Sequence, residues 1–332
     1  KHTESEFDPC LQKITLKERW SNYSKTINVK RDKYYFENNP RGIKKPGQYA
    51  YIKKGKGCKL FVWPTKFDKK GNPVVEVIRR GDLINPHGSE YLILDGLEIC
   101  FSTGRGIGHS PCMVKNITIK NCYIHDCPKW YGISFGKSEN IVIKNNIIRR
   151  VSNGIVIGGS KNILIEGNDI GWCYVDGIDC AGGIRNLLIK NNFIHDNFRL
   201  GHPDGIQFWS DVDGVLIEGN FIFHSGQTLM SEDVRNIKIR NNVILGCYGY
   251  CLIVQAGKSR KLIYGRRKNT PENRARWEEW ERLPPDNVEI TNNTIVATGY
   301  GPFNVWGKGV NISRNIIYPM HEYPLFLSLI HI

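Results

Sequence analysis

The chain has 332 residues, with 46 Lys and Arg against 32 Asp and Glu and a net charge of +14. A surface of that sign attracts polyanions. No run of 18 apolar residues occurs, which argues against a helical membrane span, and the 10 cysteines show neither a paired Cys-x-x-Cys pattern nor a Cys/His zinc spacing.

In chain order, residues 1–84 precede any clear repeat and are expected to form an N-terminal cap and β lead-in. The sequence opens on charged residues without Met, as expected of a fragment or of a chain that has lost a signal peptide. From residue 85 onward a phrase of the form Asn-Ile-x-Ile-x-Asn-Asn-x-Ile keeps returning. After a degenerate copy at Glu90, its copies begin at Asn116, Asn140, Asn162, Asn186, Gly214, Asn236, Asn287 and Gly309, in steps of 26, 24, 22, 24, 28, 22, 51 and 22 residues. Units of this length bury their apolar face only by stacking on their neighbours. Within each copy apolar and polar residues alternate, as Ile117, Ile119 and Ile124 illustrate, which is strand periodicity. The second of the two residues that break the strand is Asn at 146, 168, 192, 220, 242, 293 and 315. Asn tolerates left-handed backbone, so a stacked ladder on a sharp corner is expected. A second strand then opens with Gly-Ile at 132–133, 154–155, 177–178 and 205–206.

The expected fold is all-β: a right-handed parallel β-helix of about nine coils over 85–332. No helical arc suggests a leucine-rich repeat, and a propeller blade needs about 40 residues or more. Cys127, Cys173 and Cys247 share a repeat column, and Cys180 and Cys251 sit on strands, so buried thiols are expected. Cys10–Cys58 and Cys100–Cys112 stay open as bridges. The 51-residue step hides an insertion at 256–286, where Thr270 and Pro271 open an expected helix and Pro284-Pro285 close it. The terminal LFLSLIHI reads as a truncated or non-native end.

These repeats, over about 85–320, resemble the pectate-lyase-like superfamily of β-helix proteins. The stretch GQYAYIKKGKGCKLFVWPTKFDKKGNPVVEVIRR followed by EYLILDGLEI is similar to the lead-in of secreted glycan-active β-helix proteins. The resemblance implies carbohydrate work outside the cell. VDGID at 175–179 resembles the NTDGID motif of polygalacturonase-like hydrolases, which would make Asp176 part of an acid/base set. That family's paired Asp-Asp, Gly-His-Gly and Arg-Ile-Lys motifs are absent.

Aligning 174–186 with 202–214 without gaps stacks Asp176 on Asp204 and Asp179 on Gln207, about 4.8 Å apart. Ile178 and Ile206 point inward, so Asp179 and Gln207 point outward, with Asp176 and Asp204 where the strand begins. Adjacent carboxylates must share a proton, bind a cation or meet a base. They could serve glycoside hydrolysis, or hold Ca2+ through Asp176, Asp179 and Asp204 for a lyase or epimerase reaction. The plain structural alternative is turn duty before each Gly. The extra loop at 197–203 brings Arg199 and His202 beside Asp204, His202 as a base. His125, Arg149 and His195 form one column; Asp126, Arg150, Trp172, Asp196 and His224 form the next. His195, Arg199, Gln207, Trp209, Tyr131 and the insertion's Trp277 are candidate sugar contacts, as is Trp306.

The leading expectation is a secreted enzyme that cleaves an acidic polysaccharide by hydrolysis through Asp176, Asp179, Asp204 and His202, without a cofactor. The alternatives are a Ca2+-dependent lyase or uronate epimerase, and a non-catalytic glycan-binding adhesin or tail-spike module. The scattered basic residues form no nucleic-acid motif, and no nucleic-acid partner is expected.

Overall fold

The computed structural model describes residues 5–8, 13–17, 24–28, 46, 49–54, 57–73, 81–109, 112–197, 203–247, 249–255, 285–297 and 301–319. Two units divide the chain, at 1–77 and 78–332. In the first, strands Ser5–Asp8, Lys13–Lys17 and Ser24–Asn28 form an antiparallel sheet, and Tyr49–Lys54 pairs with Gly57–Val62 as a hairpin. Asp68 then closes a tight turn, its Oδ1 accepting the Lys70 and Asn72 amides at 2.8 Å each.

The second unit is a parallel β-helix. One coil contributes strands Glu139–Lys144, Ile147–Val151 and Ile155–Gly158, and each pairs in parallel with its counterpart one coil on. These define a first, second and third face. The register stacks Ile141 on Ile163, Ile148 on Ile170 and Ile155 on Ile178, and all six side chains are buried. The second face stacks nine strands, from Glu98–Cys100 to Ile316–Pro319. Identical Ile-on-Ile stacking explains why the apolar positions recur: each rung leaves an apolar surface that only another copy covers.

The corner between the first and second faces divides its work between two residues. Ladder residues Asn146, Asn168, Asn192, Asn220, Asn242 and Asn293 are 1 % exposed. Each side-chain amide donates to the next ladder oxygen, as Asn168 Nδ2 does to Asn192 Oδ1 at 3.0 Å, and to a carbonyl of the preceding coil, here Ile143 O at 2.9 Å. The left-handed backbone falls on the residue before: Asn145 (φ 56), Asn191 (φ 54), Asn241 (φ 56) and Asn292 (φ 56), with Gly at 167 and 219. The repeat-opening Asn residues form a second, exposed ladder through Asn116, Asn140, Asn162 and Asn186, and they too are left-handed.

The Gly of each Gly-Ile pair answers to space. A Cβ on Gly154 would lie 2.4 Å from Gly177 O and 2.6 Å from Ile170 Cγ2, and Gly106, Gly132, Gly177 and Gly205 are equally crowded. The second-face isoleucine and the carbonyl of the next coil thus exclude any side chain there.

The insertion expected at 256–286, with its helix opening at Thr270, lies outside the described residues except for Pro285 and Asp286, and Asp286 opens strand Asp286–Thr291. Cys127, Cys173, Cys180, Cys247 and Cys251 are buried and form no disulfide. Cys100 and Cys112 are also free, so they do not bridge; the side chains of Cys10 and Cys58 lie outside the described residues.

Candidate active site on the third face

On the third face, Ile178, Cys180, Ile206 and Phe208 point into the core, each 0 % exposed. The pleat turns the intervening residues outward. One outward column runs Val156, Asp179, Gln207, Met230 and Ile253; the next runs Ala181, Trp209, Glu232 and Gln255. The Trp209 indole Nε1–H donates to Asp179 Oδ1 at 3.1 Å. Burial strips water from the Asp179 carboxylate and pushes its pKa from 3.8 up to about 6, partly offset by the Trp209 hydrogen bond.

Tyr131 lies within electrostatic range of this acid. Burial raises its phenol, and the Asp179 charge raises it further, so it stays protonated as a donor. The Arg105 guanidinium, ion-paired with Asp82 at 3.1 Å, sits 5.6 Å from the Tyr131 ring and 5.0 Å from Trp130. Gln207 Nε2 donates to Met230 Sδ at 3.6 Å. The group combines one carboxylate whose pKa is raised to about 6, one phenol, an indole and a cation.

The expected registry of Asp176 and Asp204 holds: Gly177 N donates to Asp204 O at 2.9 Å. Their exposure does not. Asp176 is 3 % and Asp204 0 % exposed. Asp176 stands two residues ahead of strand Ile178–Ala181, buried at the corner that leads into it. Its Oδ2 accepts the Asn153 side-chain amide at 3.0 Å and its Oδ1 accepts the Asp204 backbone amide at 2.8 Å. Both oxygens thus hold the corner between coils, as the turn-duty alternative requires.

Ca2+ demands six to eight oxygens converging on one point. Asp176 is buried at the corner with both oxygens engaged, while Asp179 faces outward onto an indole N–H. The trio does not fit that ion.

His195 belongs to the second face, where its Nδ1 meets Asp196 Oδ2 at 2.8 Å and its Nε2 meets Asp169 Oδ1 at 3.0 Å. Phe193 stacks on it at 4.1 Å. His125 is held similarly, and His224 Nδ1 meets Asp196 Oδ1 at 2.8 Å. These rings are occupied within the second face, away from the outward side of the third. Trp306 is half-exposed and donates to Asn304 Oδ1 at 2.8 Å. Arg199, His202 and Trp277 lie outside the described residues.

Two third-face groups escaped the sequence reading. Glu232 stacks on Trp209 and accepts the Gln255 side-chain amide at 3.0 Å. Its coil carries Thr228-Leu229 in place of Gly-Ile, which hid the strand; aligning Leu229 with Ile206 recovers it. Asp82, the partner of Arg105, lies before the first clear copy of the repeat.

Residues 131–265 match the family model described as a right handed beta helix region. The chain is 30 % identical over 117 residues to putative pectate lyase 21 of Arabidopsis thaliana, and 32 % identical over 118 residues to a pectate lyase of Zinnia elegans. Each alignment takes in 30 % of this chain, and 26 % and 27 % of those proteins, so the chain matches about a quarter of the curated relatives' length. A mutant of the periplasmic alginate epimerase AlgG superposes with a TM-score of 0.46 at 16 % identity, over 75 % of this chain and 52 % of that one. The fold is a right-handed parallel β-helix.

Proposed function

We propose that this chain is a carbohydrate-active enzyme that takes an anionic, uronate-containing polysaccharide along the outward side of the third face. In this reading Asp179 removes the proton from the carbon bearing the uronate carboxyl group. The observation that carries it is Asp179 itself: an outward acid held near pH 6 by desolvation, oriented by Trp209 and within range of a protonated Tyr131. A base of that pKa balances availability against basicity at neutral pH. Tyr131 would return a proton, either to the leaving glycosidic oxygen, giving a lyase, or to the same carbon, giving an epimerase. The net positive charge of the chain favours the polyanion, and similarity to pectate lyases supports the substrate class.

Hydrolysis through Asp176, Asp179 and Asp204 loses its support because two of those carboxylates are buried and no longer flank a bond with Asp179 as a glycosidase pair must. Action outside the cell follows from the substrate class; no helix among the described residues is long and apolar enough to cross a membrane.

The test is a panel of uronate polymers assayed for ultraviolet absorbance from a new double bond and for deuterium uptake from heavy water. Either signal, lost in Asp179→Asn, supports the reading. Saturated cleavage products with new reducing ends and no deuterium would return the hydrolytic one.

A further inference from the structure

The second face carries one side-chain arrangement twice. In each, a His follows the pleat with an acid on the coil below and an Asp immediately after it in sequence. His125 lies between Glu98 and Asp126, and His195 between Asp169 and Asp196. The register makes the two units equivalent: His125 stands over Cys100, and His195 stands over Gly171.

That one difference changes the chemistry of the unit. At Gly171 a single Cβ would come within 2.5 to 2.8 Å of three His195 ring atoms, so the ring fills the space above it. The acid below, Asp169, also receives the Arg149 guanidinium, so a cation from the chain already serves this unit. At the equivalent place below His125 the chain carries a partly exposed free thiol, Cys100. Among the described residues no Arg or Lys ion pair to Glu98 occurs, and the Glu98 side chain is 66 % exposed.

We propose that Glu98, Cys100 and His125 form a binding site for a divalent transition-metal ion of the zinc class, which clips the first coil to the second. One Glu oxygen, the Cys Sγ and a His nitrogen lie within 4.8 Å of one another. A tetrahedral zinc site sets such atoms about 3.3 to 3.6 Å apart, given ligand bonds of about 2.0 to 2.3 Å. His125 Nε2 and Glu98 Oε1 are already 3.1 Å apart. Thiolate, imidazole and one carboxylate select zinc or cobalt over calcium or magnesium.

The surroundings are those of a ligand histidine. Asp126 Oδ2 meets Nδ1 at 2.7 Å, and Arg150 holds Asp126 through two bonds of 2.7 Å each. A carboxylate on Nδ1–H turns the Nε2 lone pair toward the metal. A cation placed between Nε2 and Glu98 Oε1 would find Cys100 Sγ within reach as a third ligand. Tyr123 stacks on the ring at 4.0 Å and fixes its plane. The sequence shows no zinc spacing because the ligands come from two coils.

The experiment uses the whole chain, freed of metal by a chelator and titrated with Co2+. The expected result is one ion per chain by native mass spectrometry, with a thiolate-to-cobalt charge-transfer band in the near ultraviolet that Zn2+ displaces. Cys100→Ser removes the band, and its circular dichroism shows that the fold is kept. Asp126→Asn, tolerated at that left-handed position (φ 53), weakens binding by about 10- to 100-fold. His195→Gln leaves binding unchanged. Absence of any retained ion, which leaves a proton as the bridge, or a band that survives Cys100→Ser, overturns the site.

Discussion

Trp209 reaches down one coil to donate its indole N–H to Asp179 Oδ1 at 3.1 Å, and this bond lowers a carboxylate that burial pushes up. The two residues lie 30 positions apart in sequence, yet neighbouring coils make them partners on one outward surface. The indole is both a wall that excludes water and a donor that fixes the acid's orientation.

Because Asp179 acts deprotonated in the proposed reaction, kcat/KM should rise with pH through a limb near 6. A general acid in hydrolysis would give the opposite slope there. Trp209→Phe removes the bond that favours the charged form, so the limb should move to higher pH. A pH–rate profile of both proteins checks the sign and the displacement.

Asp179 also affects stability. Its folded pKa is raised, so the folded state holds its proton more tightly than the unfolded chain between 3.8 and about 6. Stability therefore falls as pH rises across that window, and above it the buried charge costs on the order of 3 kcal/mol. Asp179→Asn should raise the urea midpoint at pH 7.5 and leave it nearly unchanged at pH 3.5, while turnover drops by about 100-fold or more.

Asp176 should behave in the reverse manner. Replacing it with Asn turns an acceptor into a donor opposite either the Asn153 amide or the Asp204 backbone amide. A lost buried charge-assisted bond of this kind costs about 2–3 kcal/mol. Denaturant unfolding should show that loss, with kcat/KM per folded molecule unaltered. The acid that most resembles a family motif is thus expected to be architectural.

The steric account of Gly-Ile predicts a contrast between two glycines. Gly154→Ala sets a methyl 2.4 Å from a backbone oxygen and should cost about 3 kcal/mol or more, as overpacking does at its severe end. Gly182 has φ +70, but nothing lies within 4 Å of the point a methyl there would occupy, so Gly182→Ala should cost only about 1–2 kcal/mol of left-handed strain. Paired denaturation curves measure the difference.

Spacing made the coils legible. Ile-x-Ile alternation located the strands, and the recurring Asn located the corner, because both recur once per coil and backbone pairing keeps them aligned. Register also placed Asp176 against Asp204 correctly. What spacing did not convey was direction. Asp176 precedes strand Ile178–Ala181 and is buried at its corner, while Asp179 lies within the strand and alternates with the inward Ile178 and Cys180. The left-handed duty of Asn145 was masked because its neighbour Asn146 carries the same name for a different purpose. Glu232 stayed hidden because Thr228 and Leu229 break the Gly-Ile signature. The Glu98, Cys100 and His125 cluster comes from two coils at the start of the stack, where the repeat is most degenerate.

The most direct test of the role given to Asp179 is carbon-bound deuterium or new unsaturation in a uronate polymer incubated in heavy water with the wild-type chain, Asp179→Asn and Asp204→Asn. The expected result is label or double bond from the wild type, about 100-fold less from Asp179→Asn, and wild-type levels per folded molecule from Asp204→Asn. Full signal from Asp179→Asn would contradict the assignment.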